Sequence, residues 1–139
     1  MKKTMVMFLF LPIVTFAGLD MNEVSRVLLG IHASKELKYY SATINNSIDE
    51  KIKFTSLEDA DIVLFPRENF NNNIMIVNSY RALKENKNSI GAIYLKKDRT
   101  QVIFIKERLE DKGISLEKKF NNYMVSACHL YSTCIYENQ

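Results

Sequence analysis

The chain has 139 residues, 47% hydrophobic and 25% charged, which fits one soluble globular domain and excludes low-complexity, collagen-like and multi-domain organisation. Lys and Arg number 19 against 16 Asp and Glu, a net charge of +3, and two of those cations, Lys2 and Lys3, lie in an N-terminal segment without an acid. Four glycines, two prolines, two histidines and no tryptophan leave little material for a phosphate-cradling loop or a histidine-rich metal site.

Lys2 and Lys3 make a positive leader, Met5 to Phe16 is almost wholly apolar, and Thr15-Phe16-Ala17 places small side chains where a signal peptidase reads them. Residues 1–17 therefore read as a signal peptide cleaved after Ala17, and residues 18–139 as a single periplasmic domain. The apolar run is about a dozen residues and contains Pro12, against the roughly 20 needed to cross a hydrocarbon core, so the cleaved product is not expected to span a membrane.

From Asp20 the apolar positions Met21, Val24, Val27, Leu28 and Ile31 recur at helical spacing, which predicts an amphipathic helix capped by Asp20 and weakened near its end by Gly30. His32 is placed late on that helix. Tyr39 to Ile44 is rich in strand formers and closed by Asn45-Asn46; Lys51 to Thr55 and Asp61 to Phe65 read as short strands around the turn Ser56 to Asp59. Ile62-Val63-Leu64-Phe65 has no alternation, the pattern of a strand buried on both faces. An exposed loop leads to another buried strand, Ile74 to Val77, and Ser79 caps a helix from Tyr80 to Lys87. Ile90 to Leu95, the polar turn Lys96 to Thr100, and Gln101 to Ile105 form a hairpin. A short helix from Lys106 stops at Gly113. Ser115 then caps a longer helix with Leu116, Phe120, Tyr123, Met124, Ala127 and Tyr131 on one stripe. The expected fold is a small single α/β or α+β domain with a mixed sheet of about five short strands, flanking helices and a late β-hairpin.

Two cysteines in an exported chain favour a disulfide, Cys128 to Cys134. On one straight helix they would sit about 9 Å apart along the axis, too far to bridge, so the helix must end between them, near Ser132-Thr133. A redox switch, or a metal site using His129, is the alternative. With one His and no fourth ligand, a staple without metal is expected.

The segment Ile52 to Phe65, a strand, a short acidic turn and a buried strand, resembles the YfiR-like periplasmic proteins. The order downstream is similar: Ser79 before a helix, Ile90-Gly91 opening a hairpin that runs through Asp98-Arg99 to Phe104, then Gly113-Ile114-Ser115-Leu116. The resemblance covers roughly Lys51 to Tyr123. It implies a periplasmic regulator that binds and restrains a membrane-anchored diguanylate cyclase, in some members with redox-sensitive disulfides. The cysteine pair here lies beyond the part that resembles the family.

Charge is uneven: residues 20–80 hold 6 basic and 9 acidic side chains, and residues 81–119 hold 11 and 6. Outside the cytoplasm nucleic acid is not the expected partner; an envelope or inner-membrane protein with an acidic patch is. Lys96, Lys97, Arg99, Lys106 and Arg108 are the candidate contact residues. No nucleophile elbow, paired carboxylates or cofactor motif stands out, so no enzyme and no cofactor is expected. The aromatic set Tyr39, Tyr40, Phe54, Phe65, Phe104, Phe120 and Tyr123 reads as core. A small solute-binding module is the second reading, because the loop Arg67 to Asn73 leaves the end of a buried strand, where α/β sheets place ligands. Against it, the chain has residues for one lobe of such a receptor and not two.

Overall fold

The computed structural model describes residues 18–44, 48–68, 70 and 72–135; the expected signal peptide and the Asn45-Asn46 strand terminus lie outside them. The chain starts with α1 (Met21–Leu29). The Asp20 carboxylate accepts from the backbone N–H groups of Asn22 and Glu23, as the sequence reading expected, whereas the nine-residue helix already ends at Leu29 with Gly30 as its C-cap, before Ile31 and His32. Val24, Val27 and Leu28 form its buried stripe. His32 is not on the helix: it is the exposed end of β1 (Ile31–His32), which pairs antiparallel with β8 (Ser115–Leu116) in a separate two-stranded sheet.

The main sheet has seven strands. In chain order its members are β2 (Lys38–Tyr40), β3 (Lys53–Phe54), β4 (Ile62–Leu64), β5 (Ile74–Val77), β6 (Ser89–Lys96), β7 (Arg99–Ile105) and β9 (Met124–Val125). Their spatial order is β3-β2-β4-β5-β6-β7-β9. The five strands from β3 to β6 are mutually parallel, β7 returns antiparallel to β6 as the hairpin, and β9 lies parallel to β7. The fold is thus a small single α/β domain with a mixed sheet. The strand from β2 and the edge strand β3 are shorter than their sequence patterns suggest.

Both sheet faces are covered, which explains the unbroken apolar runs. Ile62, Leu64, Ile76 and Phe104 pack with α1 and Phe120 on one face. Val63, Met75, Val77 and Ile105 pack on the other with Leu83 of α2 (Tyr80–Glu85) and with Leu130 from the tail. After β7, α3 (Lys106–Asp111) buries Leu109.

The long final helix is not formed. Its residues are divided among β8, a 3-10 helix Lys118–Tyr123, β9 and a 3-10 helix Ala127–His129. Tertiary partners take the backbone groups a helix would need: Leu116 pairs with Ile31, the Glu117 N–H donates to the Gly30 carbonyl at 2.9 Å, and Met124 and Val125 pair with Phe104 and Ile105. Of the predicted stripe only Phe120 is buried and Tyr131 is exposed; the second anchor of this segment is Leu130, which the stripe did not include.

Two local networks hold the ends of these elements. Glu23 takes both Arg26, as an ion pair at 2.8 Å, and the Tyr123 hydroxyl at 2.5 Å, tying α1 to the tail, while the Arg26 guanidinium stands 5.1 Å from the Phe120 ring centroid. Asp61 accepts from the Lys38 N–H and pairs with Lys35, each at 2.8 Å; burial pushes its carboxyl up, and these cationic and N–H donors outweigh that and hold it below the usual range.

Gly91 sits directly opposite Phe104, and a Cβ there would meet the Phe104 ring at 2.6 Å and the Ile103 carbonyl oxygen at 2.7 Å. The carbonyl is backbone within the β6–β7 ladder and cannot swing aside. Gly91→Ala is therefore expected to destabilise the fold by about 1–3 kcal/mol, read as a lower denaturation midpoint; an unchanged midpoint would show that the hairpin yields.

Candidate functional site

The parallel strands give the sheet two different ends. At the amino end, where α2 finishes and β6 begins, the chain is tied down by one arginine. Arg108 Nη1 lies 2.7 Å from the Leu83 carbonyl oxygen, 3.2 Å from that of Asn86 and 2.9 Å from that of Ser89. Its Nη2 donates to the Tyr131 hydroxyl at 3.2 Å, and that hydroxyl donates to the Lys84 carbonyl at 3.0 Å. The last carbonyls of a six-residue helix thereby find donors. Arg108 was expected at a partner surface; the structure uses its guanidinium as an internal fastener.

The tail reaches this knot through the disulfide, which is present between Cys128 and Cys134. Neither lies on a long helix: the Thr133 N–H donates to the Cys128 carbonyl and Ser132 adopts φ 52°, so the chain turns back as the spacing required. Glu107 accepts from the Ala127 N–H at 2.8 Å and from the Ser126 hydroxyl, and these donors, the hydroxyl foremost, hold its carboxyl below the usual range. Cys128, His129 and Cys134 offer ligand atoms within 4.8 Å of one another. With the two sulfurs bonded to each other, neither is the thiolate that a metal needs.

The hairpin of β6 and β7 separates the candidate cations. Lys96 pairs with Arg99 across a two-residue turn, Lys97-Asp98, and all four are exposed. Lys106 starts α3 at the other end of β7, about 23 Å away at 3.3 Å per residue. One group of cations is thus a hairpin tip; Lys106, exposed, and Arg108, fastened, belong to the opposite end. Lys97 and Asp98 have φ 50° and 60°, the double left-handed pattern of a type I′ turn, for which Asn-Gly is the usual sequence.

At the carboxyl end two cavities flank Tyr40. One, of about 290 Å³, is lined by residues including Tyr40, Ile44, Asp49, Ile52 and Phe54. The other, of about 310 Å³, opens between the ends of β2 and β4 and is lined by residues including Tyr40, Leu57, Leu64, Pro66, Arg67 and Phe70. Of the seven aromatic residues read as core, Tyr39, Phe65, Phe104 and Phe120 are buried and Tyr123 is half-buried, whereas Tyr40 and the 43% exposed Phe54 line these openings. The loop from Arg67 was legible as a strand-end loop; the part of Tyr40 was not, because nothing in its local pattern distinguishes a wall from a core position.

Two outcomes check the knot. Arg108→Lys keeps the charge but loses the planar fork, so stability should fall by about 2 kcal/mol in a denaturant titration, whereas Lys106→Ala should stay within about 0.5 kcal/mol. Cys134→Ser should cost about 2 kcal/mol, the value for a short closed loop, and should raise amide exchange in α2 before it does so in α1, because the freed tail carries Tyr131 and Leu130 away from α2. Uniform exchange would assign the tail no such part.

No protein-family model, curated protein or solved structure matches the chain.

Proposed function

We propose that this chain is an exported, non-enzymatic regulator that acts by contact, holding an acidic face of an envelope or inner-membrane protein such as a membrane-anchored diguanylate cyclase. The leader-like residues 1–17 support export, and the disulfide fits an oxidising compartment. The observation that carries the contact reading is the hairpin tip. Val77 at the end of β5 pairs with Ala92, so β6 continues four residues further, and the tip stands about 13 Å clear of its neighbouring strand. It presents Lys96, Lys97 and Arg99 with Leu95, which is 41% exposed.

Packing does not require three cations there. Lys97 sits in a left-handed conformation that costs an L-residue with a Cβ roughly 1–2 kcal/mol, and glycine would relieve it. A long cationic side chain at a strained, exposed position fits a role in capture. The base of the tip is firmly set: the Asp20 N–H donates to the Thr100 hydroxyl at 2.8 Å, and Gly18 packs against Leu95.

The test uses the mature chain and the periplasmic domain of a membrane-anchored diguanylate cyclase from the same cell. Lys97→Glu combined with Arg99→Glu should weaken their binding at least tenfold and shift stability by less than about 0.5 kcal/mol. Binding by the unaltered chain should also fall with salt, since exposed charges are screened beyond about 8 Å at physiological ionic strength. Equal binding by the doubly substituted chain would remove the tip from the interface.

A further inference from the structure

We propose that the crevice between the carboxyl ends of β2 and β4 binds a small monoanion with a flat apolar body, an arylalkyl carboxylate in chemical class, with the carboxylate on Arg67 and the ring against Tyr40 and Phe70. The site is independent of the hairpin tip and of any protein partner. Topology supplies the first argument. From β2 the chain passes to β3 on one side, then crosses back to β4 on the other, so the strand order reverses between β2 and β4. Open α/β sheets bind ligands outside the carboxyl ends of strands at such a reversal, because the two connections leave in opposite directions and no loop fills the gap.

The backbone at this point is the second argument. Phe65, the residue that follows β4, has φ 50° although it is a bulky, buried side chain followed by Pro66. Its N–H still donates to the Ile76 carbonyl at 2.8 Å, so the strand pairing is intact up to the residue where the chain is wrenched out of the sheet. That turn sets Pro66, Arg67 and Phe70 along the cavity as its wall. Left-handed aromatic residues are rare and concentrate at functional sites.

The chemistry of the lining selects the ligand. Leu57, Val63, Leu64, Pro66 and Phe70 are apolar, and a volume of about 310 Å³ lies at the lower end of small-molecule sites, room for a single ring with a short polar arm. Arg67 is exposed and makes no ion pair or hydrogen bond with the described residues, unlike Arg26, Arg81 and Arg108. Its planar fork matches a carboxylate in two parallel hydrogen bonds. Glu68 on the same rim adds one negative charge, which favours a monoanion over a dianion. The neighbouring cavity on the far side of Tyr40 carries Asp49 and, among the described residues, no cation, so an anion partitions to the Arg67 side.

Titration of the mature, disulfide-intact chain with hydrocinnamate tests the assignment. One saturable site is expected, with binding weakened at least tenfold by Arg67→Ala and by replacing the probe with its neutral amide, hydrocinnamide. Phe70→Ala should also weaken it, and phenyl phosphate, a dianion near neutral pH, should bind less tightly than hydrocinnamate. Arg67 is exposed, so its removal leaves the fold in place, which the melting temperature of the variant verifies. Lys97→Glu with Arg99→Glu should bind the probe as the unaltered chain does, which separates this site from the contact surface. Absence of saturable binding, equal affinity for the amide, or unchanged affinity in Arg67→Ala overturns the proposal; tighter binding of phenyl phosphate overturns the carboxylate assignment.

Discussion

The parallel part of the mixed sheet is apolar on both faces and has to be covered on both, and this chain has only three short α-helices among its described residues with which to do it. α1 and Phe120 serve one face. On the other, α2 spans six residues and cannot shield the sheet alone, so the C-terminal tail supplies Leu130 beside Leu83. The rest of the architecture depends on keeping that tail in place. A 3-10 turn has no stability of its own, and here Arg108, Tyr131, Glu107 and the disulfide give it one. Ser89, fully buried, shows how tightly the junction is drawn: its hydroxyl donates to the Asn86 carbonyl, with the Leu83 carbonyl oxygen 3.3 Å away, at the point where β6 begins.

This arrangement places fastening and exposure at opposite ends of the sheet. The amino end holds the guanidinium knot, the end of α2 and the start of α3. The carboxyl end has the hairpin tip, the two cavities around Tyr40 and, of the four left-handed residues other than glycine among the described residues, the three Phe65, Lys97 and Asp98. The fourth, Ser132, makes the turn that closes the disulfide loop. Backbone strain is tolerated where the surrounding structure over-determines it, and the ladder from β4 to β7 does so for the carboxyl end.

Elements with a local cause were legible in the sequence. Asp20 and Ser79 cap the helices they were expected to cap, and the hairpin from Ile90 to Ile105 has its turn at the predicted polar residues. The disulfide was expected from two cysteines in a chain read as exported, and their spacing required the turn between them. What was not legible depends on partners distant in sequence. The stripe from Leu116 to Tyr131 has helical spacing, but β1 and β7 compete for its backbone, and no local signal reports that competition. Arg108 looked like any other cation in a basic segment; only the fold brings it under the carbonyls of a helix more than twenty residues earlier. The crevice residues Tyr40 and Arg67 lie on separate strand ends, and their meeting is a product of strand order.

The two features of the carboxyl end share an edge without sharing a mechanism. β5 stands between β4 and β6, so the crevice and the hairpin are separated by about 10 Å across the sheet and a further 13 Å along the projecting ribbon. At that distance a charge neutralised on Arg67 is screened before it reaches Lys97. Any influence of a bound anion on the hairpin would have to travel through the backbone of β5, and the register shift between Met75 and Ile76, where β6 carries an extra residue, is the one irregular step in that path. Gly91 immediately follows that extra residue and is locked under Phe104, which resists a slip of the ladder. The physical expectation is that the crevice and the tip act separately, each set by its own strand end on a common, rigid sheet.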